Sequence, residues 1–150
     1  MNLSVHFTLE ELTRSQAALR LGLDNTPNVE QVKNGEALAN FLLEPVRALL
    51  GVSLHIDSGF RSPMVNQAVG STAVHSAHLD FLAADVVPDG MDLRKAFDLI
   101  CVAAPGLPLD QIILECNAWI HLGMAPRGKA PRRQFLLAAG GPGHWSYVSV

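Results

Sequence analysis

The chain has 150 residues, of which 49% are hydrophobic and 17% are charged. This length suits one domain over residues 1–150, and the apolar content excludes an intrinsically disordered protein. Eleven Lys and Arg against 14 Asp and Glu give a net charge of -3 without a basic stripe, so nucleic acid is not an expected partner. The one basic cluster, around Arg132 and Arg133, is interpreted as a solvated turn.

Two further features bear on the cellular setting. Cys101 and Cys116 lie outside any CxxC motif, and in an apolar chain we expect them to be reduced and buried as small hydrophobic side chains. The first residues lack the charged and apolar regions of a secretory signal peptide, and no apolar run approaches the roughly 20 residues of a membrane span. We therefore expect no signal peptide and no membrane insertion.

The first third of the chain has the pattern of helices. A capping box that begins at Thr8 predicts one helix from Leu9 to about Leu19. Apolar residues at three- and four-residue steps predict a second helix from about Asn28 to Leu50, with a kink at Pro45. A third helix is expected much later, from Asp92 to Val102.

Strands are predicted in much of the remaining chain. Apolar and polar residues alternate from Val52 to Ser58, which predicts a strand with His55 on its outward face. Further short strands are predicted at four segments, namely 109–114, 119–122, 135–137 and 145–150. This order of elements predicts an α+β domain with a small, largely antiparallel sheet.

Two imidazoles and a carboxylate lie among apolar residues, which is an unusual setting for solvated side chains. His78 and Asp85 are seven residues apart, and His121 follows 36 residues later. A catalytic zinc ion needs three protein ligands and one open position for water, and these side chains would supply that set. Spacing alone leaves open a second interpretation, in which backbone groups satisfy the aspartate and the histidines are unrelated.

A second motif, Ser-Gly-Phe-Arg-Ser-Pro, occupies residues 58–63. Together with Ser76-x-His78, Ala83-Ala84-Asp85 and Trp119-Ile120-His121, in this order, it resembles the D-alanyl-D-alanine carboxypeptidase family of zinc peptidases, peptidase family M15. That family contains D-Ala-D-Ala carboxypeptidases, dipeptidases and bacteriophage L-Ala-D-Glu endolysins. The opening residues 6–13 and the turn at 24–27 are also similar, so the resemblance covers nearly the whole chain.

The resemblance implies a hedgehog-type α+β fold with N-terminal helices and hydrolysis of a peptidoglycan stem peptide, either as an L-Ala-D-Glu endopeptidase or as a D-Ala-D-Ala carboxypeptidase. It assigns His78, Asp85 and His121 as the ligands of one Zn²⁺ ion. Arg61 matches the arginine that binds the substrate or stabilises the charged intermediate. Ser76 matches the serine two places before the first ligand, and we expect it to bind substrate.

Two positions depart from the family pattern. Phe81 stands where the family often has glycine, and we expect a bulky residue there to alter the turn between the ligands. Ala118 stands where many members have an acidic general base. The nearest carboxylate is Glu115, which is therefore our candidate base, and Asp110 is a weaker substitute.

The position of Glu115 depends on a short loop. If residues 116–118 form a three-residue hairpin loop, Glu115 faces Trp119 across the strand pair. Both side chains then share a face with His121, and Glu115 comes within reach of a water at the metal.

The other chemistry-bearing side chains receive ordinary roles. His75 is expected to be exposed or next to the ligands, Asp80 to be solvated, and His144 to have no partner. Trp119 and Trp145 are interpreted as core or cleft wall.

Two other functions remain open. Ala118 favours a non-catalytic peptidoglycan-binding or virion structural module with the same fold, whereas Glu115 opposes it. A purely structural zinc site fits poorly because such sites have four protein ligands, and Cys116 is the only conceivable fourth. We expect a monomer whose partner is a peptidoglycan peptide. We expect it in the host cytoplasm with later access to the cell wall, as for a phage lysin, or in a virion.

Overall fold

The computed structural model describes residues 1–141 and 144–150, in which four α-helices precede the first strand and two more lie between strands. The helices are α1 (Leu9–Thr13), α2 (Gln16–Leu21), α3 (Val29–Leu38), α4 (Glu44–Leu50), α5 (Pro63–Ala68) and α6 (Leu93–Ala103). The strands are β1 (Leu54–Ser58), β2 (Ala83–Pro88), β3 (Leu109–Glu115), β4 (Trp119–Met124), β5 (Gln134–Ala139) and β6 (Ser146–Ser149).

The strands form one six-stranded sheet in the order β1-β2-β4-β3-β5-β6. Neighbours are antiparallel except for β3 and β5, which run parallel. The predicted α+β architecture with N-terminal helices and a largely antiparallel sheet is therefore confirmed. Among the described residues, every helix is too short or too polar to cross a bilayer.

The prediction of one helix over residues 9–19 is wrong. The chain there forms α1 and α2, separated by Arg14, which has an extended backbone. Ser15 follows with an extended backbone, and its hydroxyl accepts a hydrogen bond from the backbone N–H of Ala18. Serine competes well for this capping position, so it starts a second helix instead of continuing the first.

The prediction of a helix over residues 28–50 is confirmed in extent, but the helix is not uniform. A π-helical turn, Ala39–Leu43, joins α3 to α4. Pro45 lies in the first turn of α4. Because proline lacks an N–H and its ring collides with the carbonyl four residues earlier, a wider turn before it relieves the conflict. The expected kink therefore takes the form of a change in helical pitch.

The other predicted elements are confirmed, with bounds that shift by at most two residues. His55 is exposed on β1, as expected. Helix α5 was not predicted, although its signals were present. The hydroxyl of Ser62 accepts from the N–H of Val65, and Pro63 occupies the first helical position, where proline is favoured.

The core lies between the helices and one face of the sheet. Phe97 and Ile100 of α6 are buried there against apolar residues of the central strands, such as Ile112 and Leu122. Side chains alternate between the two faces of a strand, so the residues between these apolar positions point to the opposite face. That opposite face carries the polar residues described next.

Candidate metal centre

Three polar side chains meet on the face of the sheet opposite the core. Asp85 of β2 and His121 of β4 are register partners in neighbouring antiparallel strands, so their side chains share this face. His78 comes from the turn that leads into β2. All three residues are buried, with at most 7% of their surface exposed. The structure therefore brings the three predicted metal ligands together.

The ligand atoms form a compact triangle. His121 Nδ1 lies 3.0 Å from Asp85 Oδ1, and His78 Nε2 lies 3.2 Å from His121 Nδ1. The third side, from His78 Nε2 to Asp85 Oδ1, is 3.3 Å. In a tetrahedral zinc site with bonds of about 2.0–2.1 Å, ligand atoms are about 3.3 Å apart. The triangle therefore has the dimensions of one face of a zinc tetrahedron.

A backbone carbonyl sets the orientation and tautomer of His78. Its Nδ1 lies 2.6 Å from the carbonyl oxygen of Gly59, and because a carbonyl only accepts, Nδ1 carries the proton. The lone pair of Nε2 then points to the side of Asp85 and His121, where Nη2 of Arg61 also lies, 3.4 Å away. Ligating histidines commonly receive this type of support from an outer hydrogen bond.

The protonation states of the triangle also suit the binding of a cation. Burial opposes ionisation of Asp85, but His78 and His121 outweigh burial and hold the pKa of this carboxyl well below its usual range. Burial lowers the pKa of His78 despite the nearby carboxylate. An ionised carboxylate beside a neutral imidazole is the protonation state that a metal requires.

Arg61 supports the carboxylate from the other side. Its Nη2 donates to Asp85 Oδ2 at 2.7 Å, and its Nε donates to the hydroxyl of Ser58 at 2.9 Å. Asp85 therefore offers Oδ1 to the triangle while Oδ2 is held by the guanidinium. Among the described residues, Nη1 of Arg61 has no hydrogen-bond partner. The expected contact between Arg61 and a substrate stays a prediction.

Asn25, which the sequence reasoning missed, fixes the loop that carries Arg61. Its Nδ2 donates to the carbonyls of Thr13 and Phe60, at 2.8 Å and 3.0 Å. Its Oδ1 accepts from the backbone N–H of Ser62 at 2.7 Å. The signal was the Asp-Asn-Thr-Pro turn, in which an asparagine side chain commonly bonds to backbone groups.

The turn between the first two ligands keeps the backbone conformation that glycine adopts easily. Phe81 has a φ of 59°, in the left-handed region. Its ring is fully buried, and its centre lies 5.5 Å from that of Phe60. A Cβ on Gly35 would lie only 2.7 Å from this ring. The departure from the family pattern thus fills a core position that a glycine would leave empty.

The hairpin predicted for residues 116–118 is confirmed, and it places Glu115 as expected. Cys116 and Asn117 adopt left-handed conformations, and Glu115 is the register partner of Trp119. The indole N–H of Trp119 donates to Glu115 Oε2 at 3.0 Å. Burial, with the nearby Asp85, raises the pKa of the Glu115 carboxyl.

Asp110, the weaker candidate for the base, lies at a β-bulge at the start of β3 and binds Arg132 instead of lining the cleft with the metal triangle. Its carboxylate accepts from the backbone N–H of Arg132 at 2.6 Å and from the guanidinium at 2.6 Å and 2.9 Å. Arg133 donates to the carbonyls of Ala104 and Leu107, both at 2.6 Å. The interpretation of this basic cluster as a solvated turn is therefore incomplete, because both arginines bind the body of the protein.

The metal triangle opens into a cleft of about 700 Å³ that Arg61, Ser76 and Glu115 also line. The hydroxyl of Ser76 accepts from the backbone N–H of His78 at 3.4 Å. Trp119 and Trp145 form part of the wall, in agreement with one of their predicted positions.

The other titratable candidates lie outside the triangle. His75, Asp80 and His144 are exposed. Cys101 and Cys116 are free thiols, but the expectation that both are buried is wrong, because Cys101 is half-buried and Cys116 is exposed at the hairpin after β3. The thiol of Cys116 is exposed and donates to the carbonyl of Gly140 at 3.3 Å. In the part of the chain that the structure describes, the cluster of possible metal ligands contains His78, Asp85 and His121 and no fourth side chain.

Comparison with known families identifies the family of proteins to which this chain belongs. The family described as Peptidase M15 matches residues 5–123, which is most of the chain. The chain belongs to this family. M15 enzymes are zinc peptidases, and the matched segment contains the metal triangle, Arg61 and Glu115 but ends before β5 and β6. No curated protein matches the chain significantly.

Proposed function

We propose that this M15 peptidase hydrolyses a peptide bond of the peptidoglycan stem peptide, either as an L-Ala-D-Glu endopeptidase or as a D-Ala-D-Ala carboxypeptidase. The observation that carries the proposal is the triangle of His78, Asp85 and His121 in the wall of an open cleft, with Glu115 on the same face. A closed structural site would offer four protein ligands, whereas this one offers three.

The three ligands would hold one zinc ion. A bound zinc ion polarises the carbonyl of the scissile bond and lowers the pKa of water, which makes hydrolysis possible near neutral pH. The chain's own contribution is to fix the ligands before substrate arrives. Arg61 holds Asp85, and the carbonyl of Gly59 holds His78, so neither ligand has to reorient.

Glu115 acts as the general base in this proposal. Trp119 holds Oε2, and Oε1 has no hydrogen-bond partner among the described residues, which leaves it free to accept a proton from the attacking water. The same carboxyl then passes the proton to the leaving amine. Its raised pKa improves it as a proton acceptor and donor near neutral pH.

Arg61 and Ser76 bind the substrate in this proposal. Nη2 and Nε of Arg61 are already bound to the protein, which leaves Nη1 available to a substrate oxygen. A guanidinium at this position also stabilises negative charge that develops on the scissile carbonyl. The proposed setting is a phage lysin that reaches the wall from the host cytoplasm, or a virion.

The experiment that tests the proposal measures amine release from purified peptidoglycan, with mass spectrometry of the soluble products. Wild type, Glu115→Gln and the control His75→Ala are compared after the zinc content of each is measured. We expect wild type and His75→Ala to release peptides, and Glu115→Gln to keep its zinc while hydrolysis falls by about 100-fold or more. The product masses identify the bond.

One observation favours a second candidate function. Ala118 stands at the position where many family members have their acidic base, so a non-catalytic wall-binding or virion module with the same fold remains the alternative. Zinc-loaded wild type that binds peptidoglycan but releases no amine would overturn the peptidase proposal in favour of this alternative.

A further inference from the structure

Strands β5 and β6 extend the sheet face that carries the metal centre, beyond the segment that the family matches. Glu115 of β3 is the register partner of Ala138 in β5, and Ala138 is the partner of Tyr147 in β6. Register partners point to the same face, so Trp119, Glu115, Ala138 and Tyr147 form one row across four neighbouring strands.

Strand β5 is tied directly to the loop that follows Glu115. The backbone N–H of Cys116 donates to the carbonyl of Ala138 at 2.9 Å. The Cys116 thiol donates to the carbonyl of Gly140 at 3.3 Å. These bonds fix β5, and with it β6, relative to the candidate base. The β5–β6 pair is therefore a fixed part of the cleft wall.

Apart from Glu115, this side of the cleft is aromatic and uncharged. Trp145 and Tyr147 line the cleft and are 37% and 52% exposed. Ala138 lies between Glu115 and Tyr147 and has a small side chain, so it leaves a depression between the two larger side chains. The described cleft residues of segments 116–119 and 134–150 carry no charge. Burial, together with the nearby Glu115 carboxylate, raises the pKa of Tyr147. Its hydroxyl is protonated near neutral pH and can donate a hydrogen bond.

The opposite edge of the same cleft is charged. Arg14 follows α1, which packs against β1, and Asp57 lies on β1 at the other edge of the sheet. Both residues line the cleft. Neither has an ion-pair partner among the described residues. The cleft thus has a charged end and an aromatic end, with the metal centre between them.

A stem peptide attached to its glycan strand likewise has a charged part and an uncharged part. Its peptide carries free carboxylates, whereas the amide-linked sugar is uncharged and offers rings and hydroxyls. Aromatic side chains pack against the apolar faces of sugar rings, and tyrosine and tryptophan add hydrogen-bond donors. On the basis of the proposed function, we propose that Trp145 and Tyr147 bind the sugar of a glycan-attached stem peptide, whose peptide runs across the metal centre towards Arg14.

The width of the sheet sets the distance between the sugar and the reacting bond. Strand β6 is three strand spacings from β4, which carries His121, or about 14 Å. An extended residue spans about 3.3–3.6 Å, so about four residues connect a sugar at Tyr147 to a bond at the metal centre. A stem peptide provides a chain of that length.

The test compares one stem peptide with and without its disaccharide as substrate. Wild type, Tyr147→Ala, Trp145→Ala and the control Val148→Ala are assayed for kcat and KM, after zinc content and thermal unfolding confirm that each variant is folded. Val148 is a matched control because it is exposed on β6 and is paired with Leu137 on the other face.

We expect Tyr147→Ala to raise KM about tenfold on the disaccharide peptide and at most twofold on the sugar-free peptide, with kcat nearly constant. Val148→Ala should behave as wild type. Equal losses on both substrates, or no loss on either, would overturn the sugar site while leaving the proposed peptidase intact. Wild type that cleaves neither substrate would overturn the proposed function, and the sugar site with it.

Discussion

The Nδ1–H of His78 donates a 2.6 Å hydrogen bond to the carbonyl oxygen of Gly59, which follows β1. Gly59 approaches α1 so closely that a Cβ at this position would lie 2.2 Å from the carbonyl oxygen of Leu12. The orientation of a metal ligand therefore depends on a glycine that lets the loop pack directly against a helix. The Ser-Gly-Phe-Arg motif serves the site through this glycine as well as through its arginine.

Gly59→Ala should weaken zinc binding by about 10- to 100-fold, because it displaces the carbonyl that supports His78. The clash with Leu12 should also destabilise the fold by about 1–3 kcal/mol. Zinc affinity is measured by competition with a chelator, and stability by urea unfolding. Gly106→Ala is the matched control, since no heavy atom lies within 4 Å of the added Cβ. Equal effects of the two substitutions would contradict the role of Gly59.

Removal of single ligands should separate the metal site from its neighbours. Asp85→Asn and His121→Ala each remove one donor from the triangle, so we expect both purified proteins to lose their zinc and their hydrolytic activity. His75→Ala should keep both, because His75 is exposed outside the triangle. Elemental analysis of the dialysed proteins measures the metal content. Loss of zinc from His75→Ala would show that the ligand set is wrong.

The metal triangle was predictable from the sequence, whereas its supports were not. His78, Asp85 and His121 stand out as polar residues among apolar ones, and the resemblance of their short motifs to the M15 family assigns them as ligands. Asn25 is 37 residues from Ser62, whose N–H it binds, and that contact exists only because the Asp-Asn-Thr-Pro turn reaches the loop after β1. Supports of this kind depend on how elements pack, which local sequence patterns do not encode.

The errors in the fold prediction have the same physical origin. A single serine hydroxyl, that of Ser15, decides between one helix and two, and its contribution of about 1 kcal/mol is too small to read from periodicity. The π-helical turn before Pro45 is likewise a local response to one ring. Strand β1 was predicted well because alternation over several residues reports which face is buried. Strand β2 is buried almost throughout and shows no such alternation, and no bounds were predicted for it.

Phe81 combines an unfavourable backbone conformation with a buried ring, and substitutions can separate the two. Phe81→Ala and Phe81→Gly both remove the ring. We expect Phe81→Ala to lower the free energy of unfolding by about 3–5 kcal/mol, and Phe81→Gly to lower it by less. At a φ of 59° glycine avoids a cost of about 1–2 kcal/mol that alanine keeps. Urea unfolding should therefore show glycine as the milder substitution. Greater stability of the alanine variant would contradict this account.

In the zinc-free protein, we expect the Glu115 carboxyl to lower the free energy of unfolding at neutral pH. Burial raises the pKa of its carboxyl in the folded state, so the folded protein binds this proton more tightly than the unfolded chain does. Stability from this group is present at low pH and is lost as pH rises through the folded pKa. Chelated Glu115→Gln should therefore be more stable than chelated wild type at pH 7, and the difference should shrink at acidic pH. Urea midpoints that do not differ at pH 7 would contradict the prediction.

The pair of Asp110 and Arg132 should show the opposite dependence on pH. Burial opposes ionisation of Asp110, but hydrogen bonds from Arg132 outweigh it and lower the pKa of the carboxyl. The unfolded chain therefore binds this proton more tightly, so the stabilisation is present above the unfolded pKa of about 3.9 and is lost as pH falls through the folded value. Asp110→Asn should cost about 1–3 kcal/mol at pH 7 and little at the acid end of the folded range.

The matched control for this pair is Asp98→Asn. Asp98 accepts a hydrogen bond from Arg94 at 3.0 Å, but both side chains are more than half exposed. Solvent and salt screen such a pair, so its loss should change stability by less than about 0.5 kcal/mol at any pH. Urea unfolding of the three proteins from pH 3 to pH 7 measures both effects. If Asp110→Asn followed Asp98→Asn across this range, the contact between Asp110 and Arg132 would not stabilise the fold.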